Sequence, residues 1–405
     1  MKNTNNIITV GFDAKRIVSN PTGLGNYGRT LVNALLAEEA HLMLRLYAPD
    51  KGNDDLRGQV RDARNICFCY PSHHSFRIQR DWWRHHGMVR QLVKDGVEVY
   101  HGLSGELPVG IQASGVKSVA TVHDLIFLRH PEYYSGIDAW LYKRKFLSTC
   151  QEADVIIAIS ERTKQDILAF SHYPEDQIKV IYQGCDTNFK AVADSEEKRR
   201  VRATHRLPRR FILYVGTMEE RKNLLLAVKA LRQLPQEISL VAVGKATSYV
   251  QKVRKYISEN GLQQRVRILH SVNNDDLPAI YQQAECFVYP SRYEGFGIPV
   301  VEAIQSGLPV VACTGSCLEE AGGPDCIYVH PDDHQSLAQA IASVLQGAVG
   351  RTERINRSKL YVKRFENLDV AAQVANVYHM LLRKCCANTV LAPLSSCRLR
   401  RACLP

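Results

Sequence analysis

The sequence predicts an α/β protein of two doubly wound, Rossmann-like domains facing each other across a cleft. Three observations carry that expectation. At 405 residues the chain is long enough for two domains of ordinary size, each with its own core. Short apolar runs alternate with longer amphipathic segments along nearly the whole chain. The runs are near-continuous instead of alternating apolar with polar, as strands are when helices cover both faces of a parallel sheet.

Taken in order, residues 7–12, 42–47, 66–70, 97–101, 116–122, 155–158 and 178–181 read as strands, and 25–37, 137–152 and 161–170 as helices. Ser160, followed by Glu161 and Thr163, suits a helix cap, because its hydroxyl can accept from an open amide of the first turn. Residues 190–210 are charged and poor in apolar side chains. Beyond them the alternation resumes, with strands at 211–215, 239–243, 266–269, 286–289 and 309–312 and helices at 224–234, 249–260, 277–283, 299–306 and 335–345. The domains are therefore placed at residues 1–187 and 208–365, followed by a C-terminal helix and a basic, Cys-rich tail over 366–405. Helices between 351 and 384 follow the second sheet and are expected to pack back on the first domain. In doubly wound sheets ligands bind at the carboxyl ends of the strands, so the site is expected in the cleft.

A hydrophobic content of 45% and a charged content of 23% belong to a soluble globular protein. The first residues are polar and lack the apolar run of a signal peptide, and no stretch reaches the ~20 apolar residues of a membrane span. A cytoplasmic location is expected, with peripheral contact to the inner face of an anionic membrane left open by the charge. The net charge is +11. Residues 350–405 hold 11 Lys/Arg against 3 Asp/Glu, and a second basic run extends from Lys198 to Arg210. Such patches suit anionic lipid or an acidic partner, or are solvated surface. No zinc-finger spacing or RNA-binding signature accompanies them, which argues against nucleic acid. The 12 cysteines contain no C-x-x-C pair, so zinc and thioredoxin-type chemistry are not expected.

The most informative segment runs from Tyr293 to Glu302, Tyr-Glu-Gly-Phe-Gly-Ile-Pro-Val-Val-Glu. Gly295 and Gly297 relax a tight turn, Pro299 suits the start of a helix, and Gly307 with Pro309 ends it. The helix start aims open amides and a partial positive charge at whatever lies beside Phe296, Gly297 and Ile298. Glu294 stands ahead of it and Glu302 one turn inside, a layout for a phosphate in the middle and hydroxyls at both ends. The strand at 211–215 runs into Gly216-Thr217-Met218-Glu219-Glu220-Arg221-Lys222-Asn223. There Arg221 and Lys222 are well placed to neutralise a diphosphate. In the first half, Gly23-Leu24-Gly25-Asn26-Tyr27-Gly28 satisfies G-x-G-x-x-G, but the glycines do not follow their strand at once as a dinucleotide fingerprint requires. A flexible loop bringing Gly25 to a phosphate and a plain helix-entry loop are both compatible with it. His123-Asp124 ends the strand at 116–122, where catalytic groups collect. No Ser-His-Asp order, H-E-x-x-H motif or Walker A sequence is present.

With these residues in view the chain resembles the retaining glycosyltransferases of family 4, which have the two-domain GT-B architecture. The resemblance runs from about Ile7 to Phe365. Its anchors are Gly23-Leu24-Gly25, Thr121-Val122-His123-Asp124-Leu125, Ile181 to Phe189, Tyr214-Val215-Gly216-Thr217 leading to Arg221-Lys222-Asn223, and the Glu-x7-Glu motif Glu294 to Glu302. The resemblance implies roles. Arg221 and Lys222 bind the donor diphosphate, Glu302 the ribose hydroxyls, and Glu294 hydroxyls of the transferred sugar. Amides around Phe296, Gly297 and Ile298 face sugar and phosphate, with Gly216, Thr217 and Asn223 completing the donor site. Gly25 approaches the phosphate from the other domain, and His123 sits near sugar and acceptor. No metal or other cofactor is expected. Similarity to mannosyltransferases in the His-Asp and Thr-Met-Glu-Glu-Arg-Lys-Asn segments suggests mannose from a GDP donor, passed to a glycan or lipid-linked acceptor in surface-polysaccharide assembly. Cys185 departs from the common Gly-Val-Asp, and the tail after Lys384 matches nothing in the family.

Three other functions compete: a nucleotide-sugar-binding protein without transferase activity, a nucleotide-sugar epimerase of the same fold, and a dehydrogenase using residues 23–28 for NAD. A glycosidase, with carboxylates on either side of a cleaved bond, fits less well, because a phosphate-binding helix start separates this pair.

Overall fold

The computed structural model describes residues 7–71, 77–365 and 369–390. The first domain is built on a parallel sheet of seven strands: β1 (Ile8–Asp13), β2 (Leu42–Tyr47), β3 (Ile66–Cys69), β4 (Val99–Gly102), β5 (Lys117–Val122), β6 (Val155–Ala158) and β7 (Ile178–Val180). Their order is β3-β2-β1-β4-β5-β6-β7. The second domain holds six parallel strands, β8 (Phe211–Val215), β9 (Ser239–Val243), β10 (Val266–Leu269), β11 (Cys286–Tyr289), β12 (Val310–Cys313) and β13 (Ile327–Val329), in the order β10-β9-β8-β11-β12-β13. Both sheets reverse direction of winding once, between β1 and β4 and between β8 and β11. These are the switch points outside which doubly wound sheets bind ligands.

Helices cover both faces of each sheet, which is why the strands read as continuous apolar runs. In β8, Ile212 and Tyr214 join the core on one face, while Phe211 and Leu213 join the core on the other. The C-terminal helix Val370–Val390 leaves the second domain and packs on the first, as expected. Its Ala371, Val374, Ala375, Tyr378 and Leu381 fall on one face and are buried with Val10, Leu31 and Leu35. Phe365, just before it, stays in the core of the second domain.

The charged stretch at 190–210 is more ordered than its composition suggests. It contains the helix Ser195–His205, capped by Asp194, whose Val201 is buried in the core of the second domain. The basic run there is not a free patch. Arg200 binds Asp276 at 2.6 Å, Arg202 reaches Gln283 at 3.1 Å, and Arg210 pairs with Glu285 at 2.5 Å and Glu237 at 2.9 Å. These bonds tie the helix and the segment after it to their own domain, while Arg199, Arg206 and Arg209 stay exposed. Of the second basic region, Arg398, Arg400 and Arg401 fall in residues 391–405, outside the described residues, as do Cys397 and Cys403. The segment 77–94, which carries no clear period in sequence, forms a helix interrupted by a π-helical turn at Trp83–Gly87. That turn brings Arg84 into the interior, against Asp13 at the end of β1 and Glu106 at 2.5 Å.

Candidate functional site

The carboxyl ends of β8 and β11, at the second switch point, carry the charged cluster. Gly216 follows β8 with φ +152°, and Tyr214 donates to the carbonyl of Thr217 at 3.1 Å, bending the chain into the short 3-10 turn Glu220–Lys222. Asn223 ends that turn with φ +55°, a left-handed conformation asparagine tolerates, and its amide donates to the carbonyl of Pro331 at 2.8 Å. Arg221 and Lys222 then converge on Glu294, at 3.0 Å and 2.9 Å. Arg221 also binds Glu219 at 2.7 Å and the carbonyl of Tyr293. Lys222 donates to Tyr289 at 2.8 Å. Glu294 accepts further from Ser291 at 2.7 Å and Tyr289 at 3.1 Å. Burial would raise the carboxyl's pKa, but Arg221 and Lys222 outweigh it and hold it at about 2, so Glu294 is ionised throughout the neutral range. Three predicted residues thus form one preorganised cluster.

The helix of the Glu-x7-Glu segment spans Ile298–Gln305, one residue earlier than expected. Gly297, at φ +104°, is its N-cap, and no side chain caps it; Pro299 has no N–H and Val300 donates to the Gly297 carbonyl at 2.9 Å, so the Ile298 amide is the one of the first turn left uncapped. The positive φ at Gly297 favours glycine, and a Cβ there would also press on Leu318 Cδ2 at 2.8 Å. Phe296 turns its ring inward, packed on Tyr182 at 5.5 Å and Phe365 at 5.2 Å, so only its backbone can face a ligand. Glu302 lies in separate surroundings. It accepts from Tyr281 at 3.0 Å, and burial, with the nearby charge of Asp186, pushes its pKa up to about 7.

Opposite this cluster stand the residues at the end of β5. His123 donates from Nε2 to the carbonyl of Leu103 at 2.9 Å, and its Nδ1 accepts from Gln183 at 2.9 Å. Burial lowers its pKa to about 4, so the ring is neutral, with its tautomer set by these partners. Tyr27 packs edge-on against it at 4.8 Å. Behind them Tyr27, Thr121, His101 and Tyr378 form a buried polar chain, with bonds of 3.3, 2.8 and 2.7 Å. Tyr378 belongs to the C-terminal helix, so that helix supports the site wall, a role sequence reasoning had no period or motif to reveal. Asp124 has a raised pKa, chiefly from burial, and feels the charges of Arg221, Glu294 and Lys222 across the cleft.

Residues 23–25 are not a flexible loop. They form the first turn of the helix Gly23–Glu38. A Cβ at Gly25 would lie 1.8 Å from the carbonyl oxygen of Asn20, so close packing on the preceding loop explains this glycine. Leu24 and Arg16 beside it face a cavity of ≈ 240 Å³ that also includes His123, Asp124, Phe127, Tyr134 and Tyr142. Glu106 and Lys145 complete one wall, paired at 3.1 Å. Burial disfavours the Glu106 charge, yet Arg84 and Lys145 hold its pKa at about 2.

The two domains meet across the cleft through the same segments. Ser160 caps the helix Glu161–Phe170 as predicted, accepting from Thr163 at 3.0 Å, and also donates to the carbonyl of Gly295 at 2.6 Å. A Cβ at Gly295 would lie 2.0 Å from the carbonyl oxygen of His123. Tyr293 accepts from Arg162 at 2.8 Å and donates to Asp166. Glu320 accepts from the amide of Glu161 at 2.8 Å. Sequence reasoning singled out none of Tyr293, Asp166, Arg162 and Glu320 as cross-domain partners, since each looks like an ordinary surface residue until the domains are brought together. Among the described residues one group could share a metal ion, Glu39, His41 and His379, on the loop before β2 and the C-terminal helix. None of the three lines the cavity.

Comparison with known proteins agrees with this geometry. A family model described as glycosyltransferase family 4 matches residues 21–189, and one described as glycosyl transferases group 1 matches residues 195–360. The O-antigen chain mannosyltransferase B of Escherichia coli is 28% identical over 287 residues, 70% of this chain and 74% of its own length. The GDP-mannose:cellobiosyl-diphosphopolyprenol alpha-mannosyltransferase of Xanthomonas campestris is 32% identical over 186 residues, 44% of this chain and 48% of its own length. The crystal structure of Anabaena HepE in complex with UDP and glucose superposes with a TM-score of 0.72 at 18% identity, over 92% of this chain and 100% of that one. That likeness shows the fold: two Rossmann-like domains across a cleft, the GT-B architecture.

Proposed function

The chain belongs to the family 4 glycosyltransferases, and from that premise we propose that it transfers mannose, with retention, from GDP-mannose to a lipid-linked glycan acceptor at a membrane surface. The observation that carries the donor site is the convergence of Arg221, Lys222 and Glu294 beside an uncapped helix start at the second switch point. The sugar is supported by the mannosyltransferases among the relatives, one of which uses GDP-mannose and a diphosphopolyprenol-linked acceptor by its name. Surface-polysaccharide assembly is supported by the O-antigen enzyme.

In this reading, departure of the nucleoside diphosphate concentrates charge on its β-phosphate. Arg221 and Lys222 stabilise that charge with donors held in place before the donor binds, the arrangement that contributes most to catalysis of this kind. Arg offers five N–H donors and Lys three, so the contacts within the cluster leave donors for phosphate oxygens. The amides at Gly297 and Ile298 add the helix dipole. Glu294 is a positioning and electrostatic group that presents its carboxylate to sugar hydroxyls. It is not assigned as a nucleophile. The neutral His123, fixed through both ring nitrogens, orients sugar and acceptor at the first-domain wall. The acceptor occupies the cavity between Glu106, Tyr134 and Tyr142. Contact across the cleft excludes water and limits donor hydrolysis.

The cations and amides take the place of a metal in this scheme. Transfer assayed after exhaustive chelation is expected to keep its rate. A rate that falls on chelation and returns with Mg²⁺ would overturn the metal-free scheme.

Glu302 gives a pH test. Its carboxylate accepts from ribose hydroxyls only when ionised, and its pKa in the free protein is about 7. Donor affinity is therefore expected to strengthen by about tenfold between pH 6 and pH 8, one pKa unit being a factor of ten. His123, at about 4, does not titrate in that window. The sign for folding is opposite. A carboxyl whose folded-state pKa is raised contributes stability below its unfolded value and loses that contribution as pH rises through about 7. Titration calorimetry with GDP-mannose, whose diphosphate does not titrate in this window, on the wild type and on Glu302→Gln separates the two effects. The variant should lose the dependence, and a flat wild-type profile would remove the ribose role.

A further inference from the structure

We propose that the helix Gly136–Glu152 is a membrane-docking element whose outward face lies in the headgroup region of an anionic bilayer. Its link to the acceptor rests on the lipid-linked reading above, while the docking itself stands on a separate observation. Only Phe146 and Thr149 of this helix are buried. Ile137, Trp140, Leu141 and Leu147 are 79%, 57%, 41% and 37% exposed. At about 100° per residue these four share one stripe with Arg144, opposite the buried face. Elsewhere in the described residues large apolar side chains are mostly interior, yet five of the twelve exposed ones sit on this single helix. A helix apolar on both sides requires a second partner.

The charges select the partner. Arg144 lies within the stripe, its guanidinium over the Trp140 ring at 5.0 Å, and Lys143 flanks it, exposed. The acid nearest the stripe's start, Asp138, is engaged by the capping Ser135 at 2.7 Å. An aromatic and aliphatic stripe with basic side chains is the composition of helices that lie in a lipid interface. Lys and Arg there attract anionic headgroups, whereas two copies of this basic face would repel each other. No helix among the described residues is long and apolar enough to cross a membrane, so the contact lies on the surface. The placement is also suited to an acceptor carried by lipid. Tyr142, Lys145 and Phe146 of the same helix line the cavity beside His123, so a headgroup held at the bilayer would enter along the helix that docks.

The test uses the full chain with vesicles of phosphatidylcholine alone or mixed with phosphatidylglycerol, and needs neither donor nor acceptor. Co-sedimentation should appear with the anionic vesicles and weaken as salt screens it. Tryptophan emission should shift to the blue, and the shift should be lost in Trp140→Phe. The double variant Trp140→Glu/Leu141→Glu should lose more than about tenfold in partition, because it replaces two apolar side chains in the middle of the stripe with charges that anionic headgroups repel. Its donor hydrolysis without lipid should match the wild type, which also certifies its fold. Wild-type chain that ignores both vesicle types, or a double variant that binds as the wild type does, overturns the proposal. So does a wild-type dimer in sedimentation velocity that the double variant converts to monomer, since the face would then pair copies. Docking without transfer to any lipid-linked acceptor would remove the acceptor reading and leave the docking element standing.

Discussion

Lys222→Ala is expected to lower hexose transfer at saturating donor by about 10²–10³-fold, the effect of removing one preorganised group that stabilises developing charge. Lys222 bonds Glu294 at 2.9 Å and Tyr289 at 2.8 Å, at the carboxyl-end turn of β8. After its removal Glu294 still pairs with Arg221 at 3.0 Å and accepts from Ser291 at 2.7 Å. The buried carboxylate is therefore not orphaned, and the domain should fold. Lys222→Arg keeps the charge and should recover part of the rate, although an ammonium and a guanidinium differ in reach and geometry. The measurement is release of nucleoside diphosphate with acceptor present, alongside a thermal melt of each variant. Wild-type turnover in Lys222→Ala with an unchanged melt would withdraw the diphosphate role.

Gly295→Ala should reduce transfer by at least about a hundredfold, since displacements of about 1 Å at a reacting centre have effects of that size. The reason is external to its own domain. Gly295 is not among the glycines with positive φ, so alanine is not strained by its backbone there. The new methyl would instead meet the carbonyl oxygen of His123 at 2.0 Å and the side chain of Asp124 at 3.2 Å, both in the first domain. The domains would have to separate, weakening the bond from Ser160 to the Gly295 carbonyl. In the proposed scheme the nucleotide is held mainly by the second domain, so its binding should survive. Calorimetry with GDP should then show near wild-type affinity beside a collapsed rate. Equal loss of affinity and rate would point to damage within the second domain, and an undiminished rate would mean that this contact is not formed during turnover.

The parallel sheets were legible because their strands are buried on both faces, and many strand limits agree to the residue, among them β2, β6, β8 and β11. β13 was missed. It has three residues, Ile327 to Val329, with no apolar run long enough to register. The helix Ser195–His205 was hidden by its charge, because Val201 is its one buried residue and its arginines are paired to groups far along the chain. Arg221, Lys222 and Glu294 were readable from spacing and turn chemistry. Their mutual pairing was not, since it depends on β8 and β11 being neighbours while about 70 residues separate them in sequence. The same limit applies to Tyr293 with Asp166 and to Tyr378 with His101, which are contacts between domains and across a chain crossing. Gly25 shows the opposite case. A glycine pattern suggested a ligand, and the structure shows in addition that no side chain fits there against Asn20. Charge alone did not show which cations are engaged: Arg200, Arg202 and Arg210 are held by their own domain, and the exposed apolar stripe on the helix Gly136–Glu152 was not singled out.

The most direct test of the account is the anomeric configuration of the first sugar released when the purified chain hydrolyses GDP-α-mannose without acceptor, followed by proton NMR before mutarotation. Retention predicts that α-mannose appears first, with GDP formed in equal amount and with both signals lost in Lys222→Ala. The β anomer appearing first, or no release of nucleoside diphosphate from GDP-mannose or any other nucleotide hexose, would contradict it.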